Sequence, residues 1–137
     1  MKPRVDYTLY LCTDRELMSA ERLEKAVELA IQGGVTVVQL REKDCTGREF
    51  LQIAKDVKQI TDAYEIPLII NDRTDICLAV NAAGIHIGQQ DLHAKIVRSM
   101  VGPDKIIGVS AATLSEAIQA EQDGADYLGV GAMFATS

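Results

Sequence analysis

Four short apolar runs in this 137-residue chain end in side chains suited to phosphate or metal: VTVVQLREKD, IPLIINDR, GIHIGQQD and KIIGVSA. They carry Gln39, Arg41 and Lys43, then Asn71 and Asp72, then Asp91, then Ser110. Brought together, two cations, two carboxylates and two amides suit a metal-bound phosphate ester. Arg offers a planar fork for phosphate and Lys a mobile point charge, a division of labour that fits a diphosphate. Mg²⁺ takes one or two carboxylates, with waters and substrate phosphate oxygens completing its shell, so Asp72 and Asp91 suffice as ligands. Asn71 would hydrogen-bond a heterocycle, and Ser110 would hold phosphate through its hydroxyl or N–H.

Each signal also has a plainer alternative. Arg41–Glu42–Lys43 reads equally as a solvated loop, Asn71–Asp72 as a turn, Asp91 as a helix N-cap and Ser110 as a strand end. Their shared place after successive strands favours the site. His86, between two isoleucines, is expected to be a packed, hydrogen-bonded core histidine, and His93 a surface residue. Two separated histidines argue against zinc. Cys12, Cys45 and Cys77 are odd in number and include no C-x-x-C pair, so they read as inert thiols. Gly129 and Gly131 permit close approach or mark a bulge.

The elements that must position these residues alternate along the chain. Strands are expected at Tyr7–Leu11, Val35–Leu40, Leu68–Ile70, Ile85–Ile87, Ile106–Val109 and Tyr127–Val130. Their β-branched runs are those of strands buried on both faces, as in a parallel sheet. Helices are expected at Ala20–Gln32 (Ser19 as N-cap), Gly47–Ala63, Asp75–Asn81 and Leu92–Met100, with a fifth ending at Gly124. Capping boxes, Thr46 with Glu49 and Thr113 with Glu116, open the second and fifth.

Six β/α steps suit a doubly wound sheet or a (β/α)₈ barrel. The barrel is favoured because no G-x-G-x-x-G opens a helix and polar residues follow nearly every strand. A barrel draws its site from several strand ends, a doubly wound sheet from one switch point. Such barrels need eight units and roughly 200 residues or more. The expectation is therefore a fragment, a truncated form, or a chain completed by a partner. Along a strand, Gln39, Arg41 and Lys43 share one side, and Leu40 and Glu42 the other.

The net charge of −6 argues against nucleic acid, which needs a basic stripe. No run approaches 18 apolar residues, so no membrane role is expected and the protein is read as cytoplasmic.

The blocks VVQLREKD, LIINDRTDICLAVNAAGIHIGQQDL, IIGVSAATLSEA and GADYLGVGAMFATS, in this order, resemble the thiamine phosphate synthase family. The resemblance covers essentially the whole chain. It implies a (β/α)₈ TIM barrel, with the first six units present as a single incomplete domain, 1–137. It also implies a Mg²⁺-dependent transferase that couples a hydroxymethylpyrimidine diphosphate to a thiazole phosphate, giving thiamine phosphate and diphosphate. Carried over, Gln39, Leu40, Arg41, Glu42 and Lys43 match the pyrimidine-diphosphate stretch, Asn71 the pyrimidine amide and Ser110 a diphosphate contact. Asp72 and Asp91 match the metal ligands, and Thr136 and Ser137 the start of the thiazole-phosphate loop. Arg41, Lys43 and Ser110 would be catalytic.

The family's prolines around Phe134 are replaced by Ala132, Met133 and Ala135, and Ala112 stands where His or Thr is usual. The family's later lysine and glycine loop fall outside these residues, so the 137 residues alone are expected to be poor catalysts. Partners would be small phosphorylated molecules, and homo-oligomerisation stays open. The rival readings are a thiazole tautomerase-like relative and a non-catalytic regulator that binds thiamine-type phosphates.

Overall fold

The computed structural model describes residues 1–18 and 22–135. Six strands, β1 (Tyr10–Cys12), β2 (Val37–Leu40), β3 (Leu68–Asn71), β4 (Gly84–Ile87), β5 (Ile106–Ala111) and β6 (Tyr127–Val130), alternate with five helices. The helices are α1 (Leu23–Gln32), α2 (Gly47–Ala63), α3 (Thr74–Val80), α4 (Ala94–Val101) and α5 (Leu114–Gln122).

All strands pair in parallel, in the order β1-β2-β3-β4-β5-β6. A doubly wound sheet reverses direction at a switch point. This one never does, so each crossover winds the same way and the sheet curves into a part-barrel of α/β type.

Strand alternation divides the apolar residues between two cores. Val38, Leu40, Ile70, Ile85, Ile87, Ile107 and Val109 point outward and pack with Val27, Phe50, Val57, Cys77 and Val97 of the helices. Val37, Ile69 and Ile106 point inward and form a small cluster with Val5, Tyr10 and Tyr127. β2 shows the pattern residue by residue: Val37 in, Val38 out, Gln39 in, Leu40 out. Burying a side chain of this size contributes roughly 1.5–3 kcal/mol.

Both expected capping boxes form. The Thr46 hydroxyl accepts from the Glu49 N–H, whose carboxylate accepts from the Thr46 N–H, and Thr113 and Glu116 do the same. The Ser19 cap lies outside the described residues, and Arg22 occupies the N-cap position without a side-chain bond.

Some boundaries move. β1 starts at Tyr10 and β2 at Val37, because Thr36 uses its hydroxyl to bond both the N–H and the carbonyl of Leu9. α3 ends at Val80 because Asn81 turns left-handed, at φ 52°. α4 starts at Ala94 rather than Leu92, with extended His93 as its N-cap residue. Among the described residues, no helix is long and apolar enough to cross a membrane.

Candidate active site

The carboxyl ends of β1–β6 converge on one rim. Gln39, Arg41, Asn71, His86 and Ser110 line a cavity of about 1110 Å³ on the sheet's inner side. Lys43, Asp72 and Asp91 line a smaller neighbouring hollow of about 380 Å³, shared with Arg41, Asn71 and Ser110. Residues as far apart in sequence as Gln39 and Ser110 thus meet, because alternate strand positions face inward at the same end of the sheet.

The carboxylates are held by short-range geometry. Asp72 sits at φ 64°, its N–H donating to the His86 carbonyl at 2.9 Å. Lys43 forms an ion pair with the Asp72 carboxylate. Asp91 accepts from the Gly88 N–H at 2.7 Å, which closes the turn after β4. Burial raises the Asp91 pKa, and the neighbouring Asp72 carboxylate raises it further. Two crowded carboxylates with a cation already drawn to one of them form a donor set that fits Mg²⁺. It would need waters and phosphate oxygens for the remaining positions.

The amides present two different situations. Gln39 is buried, and its Nε2 donates to the Tyr10 hydroxyl at 2.8 Å. Asn71 is also buried, yet its Nδ2 finds no acceptor among the described residues. An unsatisfied buried donor costs about 1–3 kcal/mol. Asn71 lines the cavity, so its unsatisfied N–H is open to an acceptor there. The Arg41 side chain is exposed beside the cavity and has no carboxylate partner among the described residues.

At two of the carried-over positions the side chain faces away from the cavity. Leu40 is fully buried in the outer core, so its side chain faces the helices and cannot touch a ligand in the cavity. Glu42 turns away to a bidentate pair with Arg15, at 2.6 and 3.0 Å. Alternation already places both on the opposite side from Gln39 and Arg41. Thr136 and Ser137 lie outside the described residues.

His86 is buried and hydrogen-bonded, but on the inner face against the cavity rather than among the helices. Its Nδ1 meets the Tyr127 hydroxyl at 2.9 Å and its Nε2 the Ser110 hydroxyl at 2.8 Å. Burial lowers its pKa, with the Asp72 charge opposing, so the neutral ring is favoured. Tyr10 and Tyr127, 2.5 Å apart at their hydroxyls, extend this chain to Gln39. Burial pushes Tyr10 up to about 12 and raises Tyr127 further, so both stay protonated. Sequence reasoning misses these phenols, although their inward places on β1 and β6 are open to the same alternation argument.

The family model for thiamine monophosphate synthase matches residues 9–137. The chain belongs to the thiamine monophosphate synthase family. It is 62% identical over 136 residues to a thiamine-phosphate synthase of Clostridium beijerinckii, covering 99% of this chain and 65% of that protein. A thiamine-phosphate synthase of Ruminiclostridium cellulolyticum is 61% identical, covering 100% of this chain and 65% of that protein. A solved thiamine phosphate pyrophosphorylase from Pyrococcus furiosus superposes with a TM-score of 0.82 at 39% identity, over 92% of this chain and 60% of that one. The chain thus spans somewhat less than two thirds of the length of these family members. The part-barrel fold is the portion shared with the solved structure.

Proposed function

We propose that this rim binds a pyrimidine diphosphate and transfers its pyrimidylmethyl group to the ring nitrogen of a thiazole phosphate, making thiamine phosphate. The observation that carries the reading is the pairing of an unsatisfied buried amide, Asn71, with an adjacent set of cations and carboxylates. The amide suits a heterocycle, and the charged set suits its diphosphate.

In this reading Asn71 and Gln39 hold the aminopyrimidine, while Arg41, Lys43 and Ser110 face the diphosphate. The C–O bond between methylene and diphosphate breaks, both electrons leaving with the diphosphate. The thiazole nitrogen then forms the new C–N bond. Asp72 and Asp91 would hold Mg²⁺, which when bound neutralises charge developing on the leaving group. Such a dissociative step needs positioning and fixed charge rather than a strong base, in keeping with a neutral His86. The complete fold in which this happens is read as a (β/α)₈ barrel.

The test is product formation from both substrates with Mg²⁺. Thiamine phosphate appearing only with both substrates supports the reading. Thiazole isomerisation without the pyrimidine substrate supports a tautomerase instead, and binding with no turnover a regulator.

A further inference from the structure

A chain of hydrogen bonds runs through the inner face from Gln39 to Ser110. The Gln39 amide donates to the Tyr10 hydroxyl oxygen at 2.8 Å. Tyr10 has one proton to give, and its next neighbour is the Tyr127 hydroxyl at 2.5 Å. Tyr127 likewise has one proton, and with Tyr10 donating to it the remaining acceptor in reach is His86 Nδ1, 2.9 Å away. A neutral imidazole carries a single N–H, so an accepting Nδ1 places the proton on Nε2. In that order Nε2 is the donor in its 2.8 Å contact with the Ser110 Oγ. The Ser110 proton in that order has no partner among the described residues and is free to face the cavity that Ser110 lines.

We propose that Tyr127 is a positioning residue: it holds His86 as the Nε2–H tautomer and thereby makes the Ser110 hydroxyl a hydrogen-bond donor to an anionic ligand. The inference rests on the diphosphate reading given above and adds Tyr127, which touches no ligand in that reading. The opposite proton order would spend the Ser110 proton on His86 and present an anion with a lone pair, which repels it.

Three further observations show that the network is built in. Gly108 faces the Tyr127 ring so closely that a side-chain carbon there would overlap its Cζ and hydroxyl. Gly129, opposite Ser110 in the β5–β6 register, leaves room beside His86 Cε1, where an added carbon would stand at 3.1 Å. Tyr7 packs on the other side of Tyr127, with ring centroids 4.9 Å apart. The phenol is therefore seated by its ring, and its hydroxyl can be removed without emptying the space.

The experiment has two arms. In the native protein without ligand, ¹⁵N NMR of the histidine rings reads the tautomer directly. The chain has two histidines, and His93→Gln assigns the second. A single Nε2–H form for His86 is expected; an Nδ1–H form overturns the proposal.

In the second arm, inorganic diphosphate is titrated with Mg²⁺ into native, Tyr127→Phe, Ser110→Ala and doubly substituted proteins. Tyr127→Phe and Ser110→Ala should each weaken binding about tenfold, the scale of one hydrogen bond to a charged group. The double variant should bind no more weakly than Ser110→Ala, because Tyr127 acts through Ser110. Multiplying losses, or full affinity in Tyr127→Phe, overturns the proposal. A native protein that binds no diphosphate refutes the site reading instead, and the tautomer still decides the proton order. The first arm also stands if Tyr127→Phe fails to fold.

Discussion

Replacing Asp72 by Asn preserves the shape of the rim and removes one negative charge from it. Asp72 sits at φ 64°, a left-handed conformation that Asn tolerates as readily as Asp, so the backbone cost is small. A divalent cation held by Asp72 and Asp91 would lose one of two protein ligands. Loss of one preorganised electrostatic stabiliser lowers turnover about 10²- to 10³-fold, about 2.7–4 kcal/mol. The same change releases Lys43 from its ion pair, so the freed ammonium becomes available to an anion. Asp72→Asn should therefore bind Mg²⁺ more weakly while binding metal-free diphosphate more tightly. Asp91→Asn differs: it keeps an oxygen for the Gly88 N–H and leaves Lys43 on Asp72. It should lose Mg²⁺ without the gain in metal-free diphosphate. Calorimetric titration of Mg²⁺ and of diphosphate separately, beside turnover measurements, resolves the two effects. Unchanged Mg²⁺ dependence in both variants would refute the metal role and leave the carboxylates as turn formers. Equal responses to diphosphate alone would refute the part assigned to Lys43.

Asp126→Ala should cost about 2 kcal/mol, because its carboxylate accepts from Arg98, Lys2 and the Ile107 N–H at 2.6–2.8 Å. Burial raises the Asp126 pKa, but those hydrogen bonds outweigh it and the net shift is downward. The contribution is thus full above about pH 4 and fades as pH falls through the lowered value, so native and variant denaturation midpoints should converge in acid; a gap constant with pH sinks the idea. Thr46→Ala removes one half of the α2 capping box and should cost about 1 kcal/mol by urea denaturation. A loss indistinguishable from zero would show that the cap is idle. Gly108→Ala forces the Tyr127 ring aside and should destabilise by about 1–3 kcal/mol, with the His86–Tyr127 hydrogen bond lost in the NMR spectrum. An unchanged melting temperature and an intact bond would count against the seating of that ring.

Local rules carry furthest where the energy is local. The Thr46–Glu49 and Thr113–Glu116 boxes are legible because cap and partner lie three residues apart, and both form. The β-branched runs are legible as buried parallel strands because burial on both faces leaves no polar alternation to read. The rim is partly legible: period-two alternation in the sequence alone sends Gln39 inward and Leu40 outward. The Leu40 and Glu42 side chains follow the same rule, away from the cavity. What alternation does not reveal is register between strands. That His86 meets Ser110 and Tyr127 depends on His86 pairing with Gly108, and Gly108 with Tyr127. The start of α4 departs from expectation for a related reason, since Asp91 satisfies the Gly88 N–H instead of capping the helix.

The inner face is stratified, and the stratification explains why the rim can be so polar. Val37, Ile69 and Ile106 form an apolar floor two residues below Gln39 and Asn71 and four below Ser110. Backbone hydrogen bonds in a parallel sheet are satisfied at every level, so only the side chains differ between floor and rim. The floor side chains are buried, and a polar interaction beside such an apolar layer is stronger than the same interaction in water. Two consequences separate the layers. A truncation such as Ile69→Ala removes packing and should lower stability with little change in ligand chemistry. A change one step higher, at Asn71, whose buried Nδ2 has no partner to lose, should spare stability and alter binding. The outward residues of the same strands, Leu40 and Ile70, anchor the sheet to the helices and hold both layers in register.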